Sequence, residues 1–104
     1  MINKELKTLL EKSGLPVAYH HFNEATDPPF LVFLRTKNNN IPADDTVCVD
    51  VKNYDVELYT EKKDTETENA IEELFKSYDI FYNVTDEEYV ESEKMYEVVY
   101  SIQI

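Results

Sequence analysis

The sequence predicts one α+β domain, with about five strands in a mostly antiparallel or mixed sheet and two helices on one face. Three observations support this fold class. The chain has 104 residues, enough for a single core. Two segments place apolar side chains at helical spacing. The other apolar segments show the alternation or the short unbroken runs of strands. The predicted order is α-β-β-β-α-β-β across residues 1–104, as a single domain.

The first helix is predicted from apolar side chains that share one helical face. They recur at i, i+4, i+7 and i+8, as Ile2, Leu6, Leu9 and Leu10. The helix should end within residues 13–16, because Gly14 can adopt a left-handed backbone and Pro16 cannot continue a helix.

Two strands are predicted next. Residues 17–22, VAYHHF, are rich in β-branched and aromatic side chains. Residues 30–35, FLVFLR, form an unbroken apolar run and should be buried on both sheet faces. The residues between them are predicted as a loop that ends in two prolines, which force an extended backbone. Residues 36–45, TKNNNIPADD, are polar without periodicity and are also predicted as a loop.

A long third strand is predicted over residues 47–58. Its apolar positions are odd-numbered up to Val51 and even-numbered from Tyr54 onward. A shift of one residue reverses the face of every later side chain, so a β-bulge near Asn53 or a change of pairing partner must absorb it. Because no glycine or proline marks a turn there, one bent strand is favoured.

The second helix is predicted from a capping-box spacing at Thr65 and Glu68. On its outer face, Glu72 and Glu73 are spaced to pair with Lys76. Its apolar face consists of Ile71, Leu74, Phe75 and Tyr78.

The last two strands are predicted over 80–84 and 95–104, with an acidic turn region at 85–94. In the final strand, the even-numbered residues from Tyr96 to Ile104 are apolar and alternate with a mainly polar set. This alternation is typical of a half-buried strand.

The composition excludes several kinds of site. A single glycine rules out glycine-rich phosphate-binding loops, since these need several residues without a Cβ atom. A single cysteine, Cys48, rules out an internal disulfide and a multi-cysteine zinc site, and it fits a reducing compartment. The first twenty residues show no apolar signal-peptide region, and no run approaches the ~18 apolar residues of a transmembrane helix.

The formal net charge is −12, and the second half of the chain carries most of it. Residues 1–54 contain seven acidic and six basic residues, whereas residues 55–104 contain fifteen acidic and four basic ones. Such a surface repels nucleic-acid phosphates and anionic lipids, so neither nucleic acid nor a membrane is expected as a partner. Two interpretations stay open. The acids keep a soluble protein from associating with itself, or the protein mimics nucleic acid and fills a basic groove.

The two histidines, His20 and His21, do not predict a metal or catalytic site. Neighbouring side chains on a strand point to opposite faces, so both rings reach one metal only if the strand breaks there. One histidine is therefore predicted in the packed face and the other at a surface or subunit contact. Cys48 lies in a strand pattern, where cysteine usually packs as a small apolar side chain. No catalytic, cofactor-binding or metal-binding residue is assigned.

Eight tyrosines and five phenylalanines are many for one small core. A core of this size does not bury thirteen aromatic side chains completely, and surface tyrosines are typical of protein–protein interfaces. The composition therefore favours an interaction protein over an enzyme. The acidic run at residues 86–93 is interpreted as a solvated turn, because it lacks the central glycine of a calcium-binding EF-hand loop.

Four motifs, in order, resemble a family of small proteins from long-tailed phages and prophages of Gram-positive bacteria. They are PVAYHHF at 16–22, PPFLVF at 28–33, ELYTEKKD at 57–64 and ESEKMYEVVY at 91–100. Phe30 and Phe33 stand where some members of that family have tyrosine. The family is similar to the tail-completion or tail-terminator proteins of the head–tail joining region.

The resemblance implies a virion protein, not an enzyme, that caps the tail tube, often as a six-membered ring, and contacts the head connector. It implies a location in the virion and, during assembly, in the host cytoplasm. A connector or minor capsid role lies close by, and an acidic phage inhibitor or nucleic-acid mimic is the alternative from another class. The polar loop at residues 36–45 either orders when it meets the tube or is an ordinary surface loop. The candidate interface residues are Lys37, Asn38, Asn39, Asn40, Ile41, Asp44, Asp45 and Tyr59.

Overall fold

A computed structural model of the chain describes residues 3–36, 39–43 and 47–104. These residues form two helices and seven strands, in the order α1, β1 to β5, α2, β6 and β7. Five strands make one sheet in the spatial order β1-β2-β5-β7-β6, and β3 and β4 make a separate two-stranded sheet. The predicted α+β class, with a mixed five-stranded sheet and two helices, is confirmed.

The bounds of the elements follow the hydrophobic periodicity closely in the core. The helices are α1 (Asn3–Glu11) and α2 (Thr65–Ser77). The strands of the main sheet are β1 (Val17–Tyr19), β2 (Phe30–Arg35), β5 (Asn53–Thr60), β6 (Phe81–Val90) and β7 (Met95–Gln103). The two-stranded sheet consists of β3 (Asn39–Ala43) and β4 (Val47–Val51). In the main sheet β1 and β2 run parallel, and the other neighbours are antiparallel.

Both helices pack on the same face of the main sheet and enclose the core. The helices contribute Leu6, Leu9, Leu10, Ile71 and Phe75. The sheet contributes Val17, Leu31, Phe33, Tyr54, Val56, Leu58, Val98, Tyr100 and Ile102. The odd-numbered positions of β2 and the even-numbered positions of β5 and β7 therefore face the helices. We call this side of the sheet the helix-covered face.

Among the described residues, no helix is long and apolar enough to cross a membrane.

The end of α1 agrees with the sequence prediction, whereas the start of α2 needs one correction. Gly14, just after α1, has a φ of 85°, a left-handed backbone that glycine adopts without strain. At the start of α2 the capping residue is Asp64, not Thr65. The Asp64 carboxylate accepts hydrogen bonds from the Thr67 backbone N–H at 3.1 Å and from the Thr67 hydroxyl at 2.7 Å. Aspartate is as good a cap as threonine, so the spacing alone did not select between adjacent candidates.

The phase shift predicted near Asn53 is absorbed by a change of pairing partner, because β4 pairs with β3 whereas β5 pairs with β2 and β7. The favoured prediction of one bent strand is therefore wrong. Arg35 pairs with Tyr54, and the next described pair joins Asn39 to Val51. Between these two pairs the chain advances four residues from Arg35 to Asn39 but only three from Val51 to Tyr54, which accounts for the one-residue shift. The strand predicted over 47–58 is therefore divided into β4 and β5 at Lys52. Residues 39–43 are predicted as loop but form β3, which pairs with β4 through backbone hydrogen bonds. Such pairing does not depend on an alternation of apolar and polar side chains, so the sequence pattern did not indicate it.

The acidic segment after residue 84 is a further correction. It is predicted as a turn, yet β6 continues to Val90 and pairs with β7 over its whole length. The pairing register shifts between Val84 and Asp86, as expected of a β-bulge. Because β6 lies at the edge of the sheet, its acidic side chains stay in water while its backbone is paired. Only residues 91–94 form the turn.

Candidate interaction surface

The side of the main sheet opposite the helices is the best candidate for a functional surface. We call it the open face. Cross-strand pairing arranges its side chains in rows that run from β2 to β6. The three central rows are Phe30–Tyr59–Glu97–Glu88, Val32–Glu57–Val99–Asp86 and Leu34–Asp55–Ser101–Asn83.

The open face is acidic, and its acids come from three strands. They are Asp55, Glu57, Asp86, Glu88 and Glu97. No open-face position of the described main sheet holds a lysine or an arginine. Glu88 lies directly opposite Glu97, and carboxylate oxygens of Asp86, Glu88 and Glu97 lie within 4.8 Å of one another. Like charges that face each other across a strand pair destabilise a sheet, so this arrangement costs the folded protein stability.

One side of the open face is covered by the crossover between β1 and β2. Phe22 in this segment packs edge-to-face on Phe30, with ring centroids 5.2 Å apart. Phe30 in turn stacks on Tyr59 at 5.1 Å. The segment and the sheet enclose a groove of about 400 Å³. We define this aromatic groove by His20, His21, Phe22, Phe30, Tyr59 and Met95.

The position of the histidines corrects the sequence prediction. The strand ends at Tyr19, because His20 has a φ of 70° and breaks the alternation of faces. The His20 backbone N–H donates to the Phe33 carbonyl at 2.9 Å, which holds the chain at this bend. Both His20 and His21 are exposed and line the aromatic groove, so the prediction that one of them belongs to the packed face is wrong.

Tyr59 connects the aromatic groove to the acids of the open face. Its hydroxyl donates to Oε1 of Glu57 at 3.1 Å. Glu97 pairs with Tyr59 across the strands, so its carboxylate is a second negative charge near this hydroxyl. Burial raises the pKa of Tyr59, and the neighbouring carboxylates of Glu97 and Glu57 raise it further.

Glu57 is an open-face acid whose pKa is shifted by its surroundings. Burial raises the pKa of the Glu57 carboxyl, and the charges of Glu97 and Asp55 add to this effect. The hydrogen bond from Tyr59 and the proximity of His20 act in the opposite direction. Glu57 is therefore a partly desolvated carboxylate beside a second carboxylate, an arrangement that a cation would stabilise.

The members of the predicted interface that the structure describes do not lie in one place. Asn39, Asn40 and Ile41 lie in β3, whereas Tyr59 lies near the far end of β5, in the aromatic groove. Lys37, Asn38, Asp44 and Asp45 lie outside the described residues. The sequence analysis missed the open-face acids as a group. In the sequence, Asp55, Glu57 and Glu97 stand at the polar positions of two alternating strand patterns. Only the pairing register shows that the polar positions of these two strands lie on the same face of the sheet.

The edge strand β6 is a second exposed surface. Its ten residues pair on one side only, with β7. Three of its apolar residues are largely exposed to solvent. The exposed fractions are 63% for Phe81, 51% for Val84 and 52% for Tyr89. An edge of this length offers unpaired backbone groups to another strand.

Comparison with known proteins identifies the fold but not a family. No model of a known protein family matches the chain, and no curated protein sequence matches it either. Among solved structures, a chain in the virion of a native gene transfer agent (GTA) particle has a similar fold, with a TM-score of 0.62 and 12% sequence identity. The match covers 90% of this chain and 81% of that chain. At this identity the likeness shows a shared fold.

Proposed function

We propose that this chain is a virion structural protein of the head–tail joining region of a phage or phage-like particle. It caps the tail tube as a tail-completion or tail-terminator protein and forms a ring of identical subunits. The observation that carries the proposal is the fold shared with a chain of a gene transfer agent virion over 90% of this chain. The four family motifs between residues 16 and 100 support the same region of the particle.

The exposed surfaces favour a ring over a simple dimer. A two-fold dimer through β6 brings the acidic runs at 86–88 of both copies together, which is electrostatically unfavourable. A contact between two different patches avoids this repulsion, and repeated contacts of that kind close into rings. The exposed Phe81, Val84 and Tyr89 make the β6 edge the stronger side of such a contact.

Mixing experiments with tail tubes test the proposal. The purified full-length chain is sized by light scattering, alone and after addition of purified tail tubes, and tube ends are imaged by electron microscopy. We expect ring-shaped density at tube ends and co-sedimentation of the chain with tubes. A protein that stays monomeric and binds neither tubes nor head connectors would contradict the proposal.

A paired substitution tests the part that the β6 edge plays. Val84→Lys places a charge on the exposed edge strand and should abolish ring formation while the monomer remains folded. Ala70→Lys adds the same charge to an exposed position of α2 and serves as the control. If both variants lose ring formation equally, the added charge is the cause, and the β6 edge has no specific part in the ring contact.

A second candidate function is supported by the acidic open face. Five carboxylates without a lysine or arginine on the same sheet face could occupy the basic groove of a DNA-binding protein as a nucleic-acid mimic. This candidate predicts that the chain displaces DNA from a basic host protein in a competition assay. Failure to displace DNA from any nuclease or regulator of the host would count against it.

A further inference from the structure

We infer that the aromatic groove binds an arginine-bearing segment of the adjoining virion protein. The guanidinium group lies against the aromatic rings and pairs with the carboxylates of Glu57 and Glu97. The identity of the partner rests on the proposed function, whereas the chemistry of the groove does not.

The rings of the groove provide an apolar surface of suitable shape. Phe30 is 8% exposed and anchors the floor, while Phe22 and Tyr59 are half-buried and leave part of each ring accessible. A guanidinium is planar, stacks on aromatic faces and is more weakly hydrated than an ammonium. The accessible parts of the Phe22 and Tyr59 rings therefore suit arginine better than lysine.

The carboxylates of the groove provide the charge complementarity. Glu57, Glu24 and Glu93 line the groove, and Glu97 lies beside it as the cross-strand neighbour of Tyr59. The ion pairs found among the described residues involve Lys63 and Lys76, and none of them includes these four acids. Two carboxylates beside one phenol match the several N–H donors of a guanidinium.

A second copy of this chain is a poor occupant of the groove. The chain has only one arginine, Arg35, and this residue already interacts with other groups in the fold. The net charge of −12 makes the approach of a second copy to an acidic face unfavourable. Lys94 lines the adjacent groove together with Glu61 and Glu93. A basic segment of a different protein is therefore the favoured occupant.

A peptide-binding experiment tests the groove without any virion component. The probe is a blocked heptapeptide, Gly-Phe-Arg-Gly-Leu-Arg-Gly, titrated into the isotope-labelled full-length chain and followed by NMR. We expect the largest shifts in the amides of residues 20–26, Glu57, Tyr59 and Glu97. The same peptide with citrulline in place of arginine has the same shape without the charge and should bind at least about tenfold more weakly.

Matched double variants separate the groove from general charge attraction. Glu57→Gln with Glu97→Gln should weaken peptide binding about tenfold, because two charge-assisted hydrogen bonds are lost. Glu5→Gln with Glu11→Gln removes the same charge from exposed positions of α1, on the other side of the molecule, and should change binding less than about twofold. The neutral substitutions also relieve repulsion, so the groove variant should remain folded, which its melting curve verifies.

Three outcomes would overturn the inference. Equal weakening by both double variants would show non-specific attraction to an acidic protein. Equal affinity for the citrulline peptide would show that the guanidinium is not recognised. Shifts confined to α1 or α2 would place the peptide elsewhere.

Binding to virion components distinguishes the inference from the proposed function. If wild type and the groove variant bind tail tubes or connectors equally well, the proposed function stands and the inference is wrong. If the peptide binds the groove but no virion component binds the chain, the proposed function fails and the arginine site stands without its assigned partner. Capture of a DNA-binding protein through the same face, with no binding to tubes or connectors, would overturn the assigned partner in favour of mimicry.

Discussion

Individual acidic residues differ widely in how the fold treats them. Glu72 accepts hydrogen bonds from the Tyr82 hydroxyl at 3.2 Å and from the Tyr100 hydroxyl at 3.1 Å, so it stabilises the packing of α2 on β6 and β7. The sequence analysis assigned Glu72 and Glu73 to Lys76, and the structure shows that pair only for Glu73, at 3.5 Å. Glu57, in contrast, contacts a phenol and faces further carboxylates. The negative charge of Glu57 is therefore costly in the free protein.

We expect Glu57→Gln to stabilise the protein at neutral pH and to lose this effect in acid. The folded protein raises the pKa of Glu57, mainly through burial, above the ordinary value of 4.5. The native state therefore binds the proton more tightly than the unfolded state, and the cost of the charge is present above the raised pKa. As the pH falls through that pKa toward 4.5, the wild type recovers stability and the variant does not.

Chemical unfolding of both proteins from about pH 4 to about pH 8 measures this difference. The difference in the free energy of unfolding should be largest at neutral pH and should vanish below the ordinary pKa of a glutamate. Glu11→Gln, at an exposed position of α1, is the control. Parallel pH profiles for wild type and Glu57→Gln would contradict the assignment of a raised pKa.

At the scale of elements, α2 holds the sheet together from one side. Its start is fixed by Asp64, and Lys63 just before it binds Glu68 of α2 at 2.9 Å and Glu87 of β6 at 2.6 Å. Its buried face inserts Phe75 against Tyr82 and Tyr100, with ring centroids 5.5 Å and 5.7 Å away. The helix therefore links the edge strand β6 to the core.

Phe75→Ala should destabilise the protein by about 3–5 kcal/mol, because the ring is fully buried and its removal leaves a cavity among other aromatic rings. Denaturant unfolding followed by circular dichroism measures the loss. Lys76→Ala, at the adjacent exposed position, should change the free energy of unfolding by no more than about 0.5 kcal/mol. A loss below about 1 kcal/mol for Phe75→Ala would show that α2 does not pack on the sheet as described.

At the scale of the whole molecule, the two faces of the sheet differ in burial and in charge. The helix-covered face forms the core, and the open face presents acids and the aromatic groove. The molecule is also elongated, with a longest extent of 49 Å against 28 and 23 Å in the other directions. An open face of one charge sign on such a body favours a partner of opposite sign and delays association between identical copies.

Binding to tail tubes should therefore weaken with salt. We expect a loss of affinity on the order of tenfold between about 0.01 M and about 0.15 M salt, because the screening length shortens from roughly 30 Å to roughly 8 Å. Sedimentation with tubes at several salt concentrations measures the dependence. The double variant Glu57→Gln with Glu97→Gln should show a shallower dependence than the α1 control, and equal slopes would contradict the use of the open face.

The sequence predicted the elements of the core well because their periodicity reports local burial. Leu6, Leu9 and Leu10 gave the buried stripe of α1, and the even-numbered residues of β7 gave its buried side. The acidic part of β6 was missed for the opposite reason. An edge strand that is solvated on both faces has no hydrophobic alternation to detect, and its backbone pairing with β7 stabilises it instead.

The sequence by itself determined the fold class, the two helices, the buried strands and the one-residue phase change near Asn53, since each follows from neighbouring side chains and local backbone preferences. Only the tertiary structure decided which distant residues share a surface. The bend at His20 placed both histidines in one groove, and the register of β5, β7 and β6 collected their acids on one face. Strand order and register depend on long-range pairing, which the local pattern of a single chain does not encode.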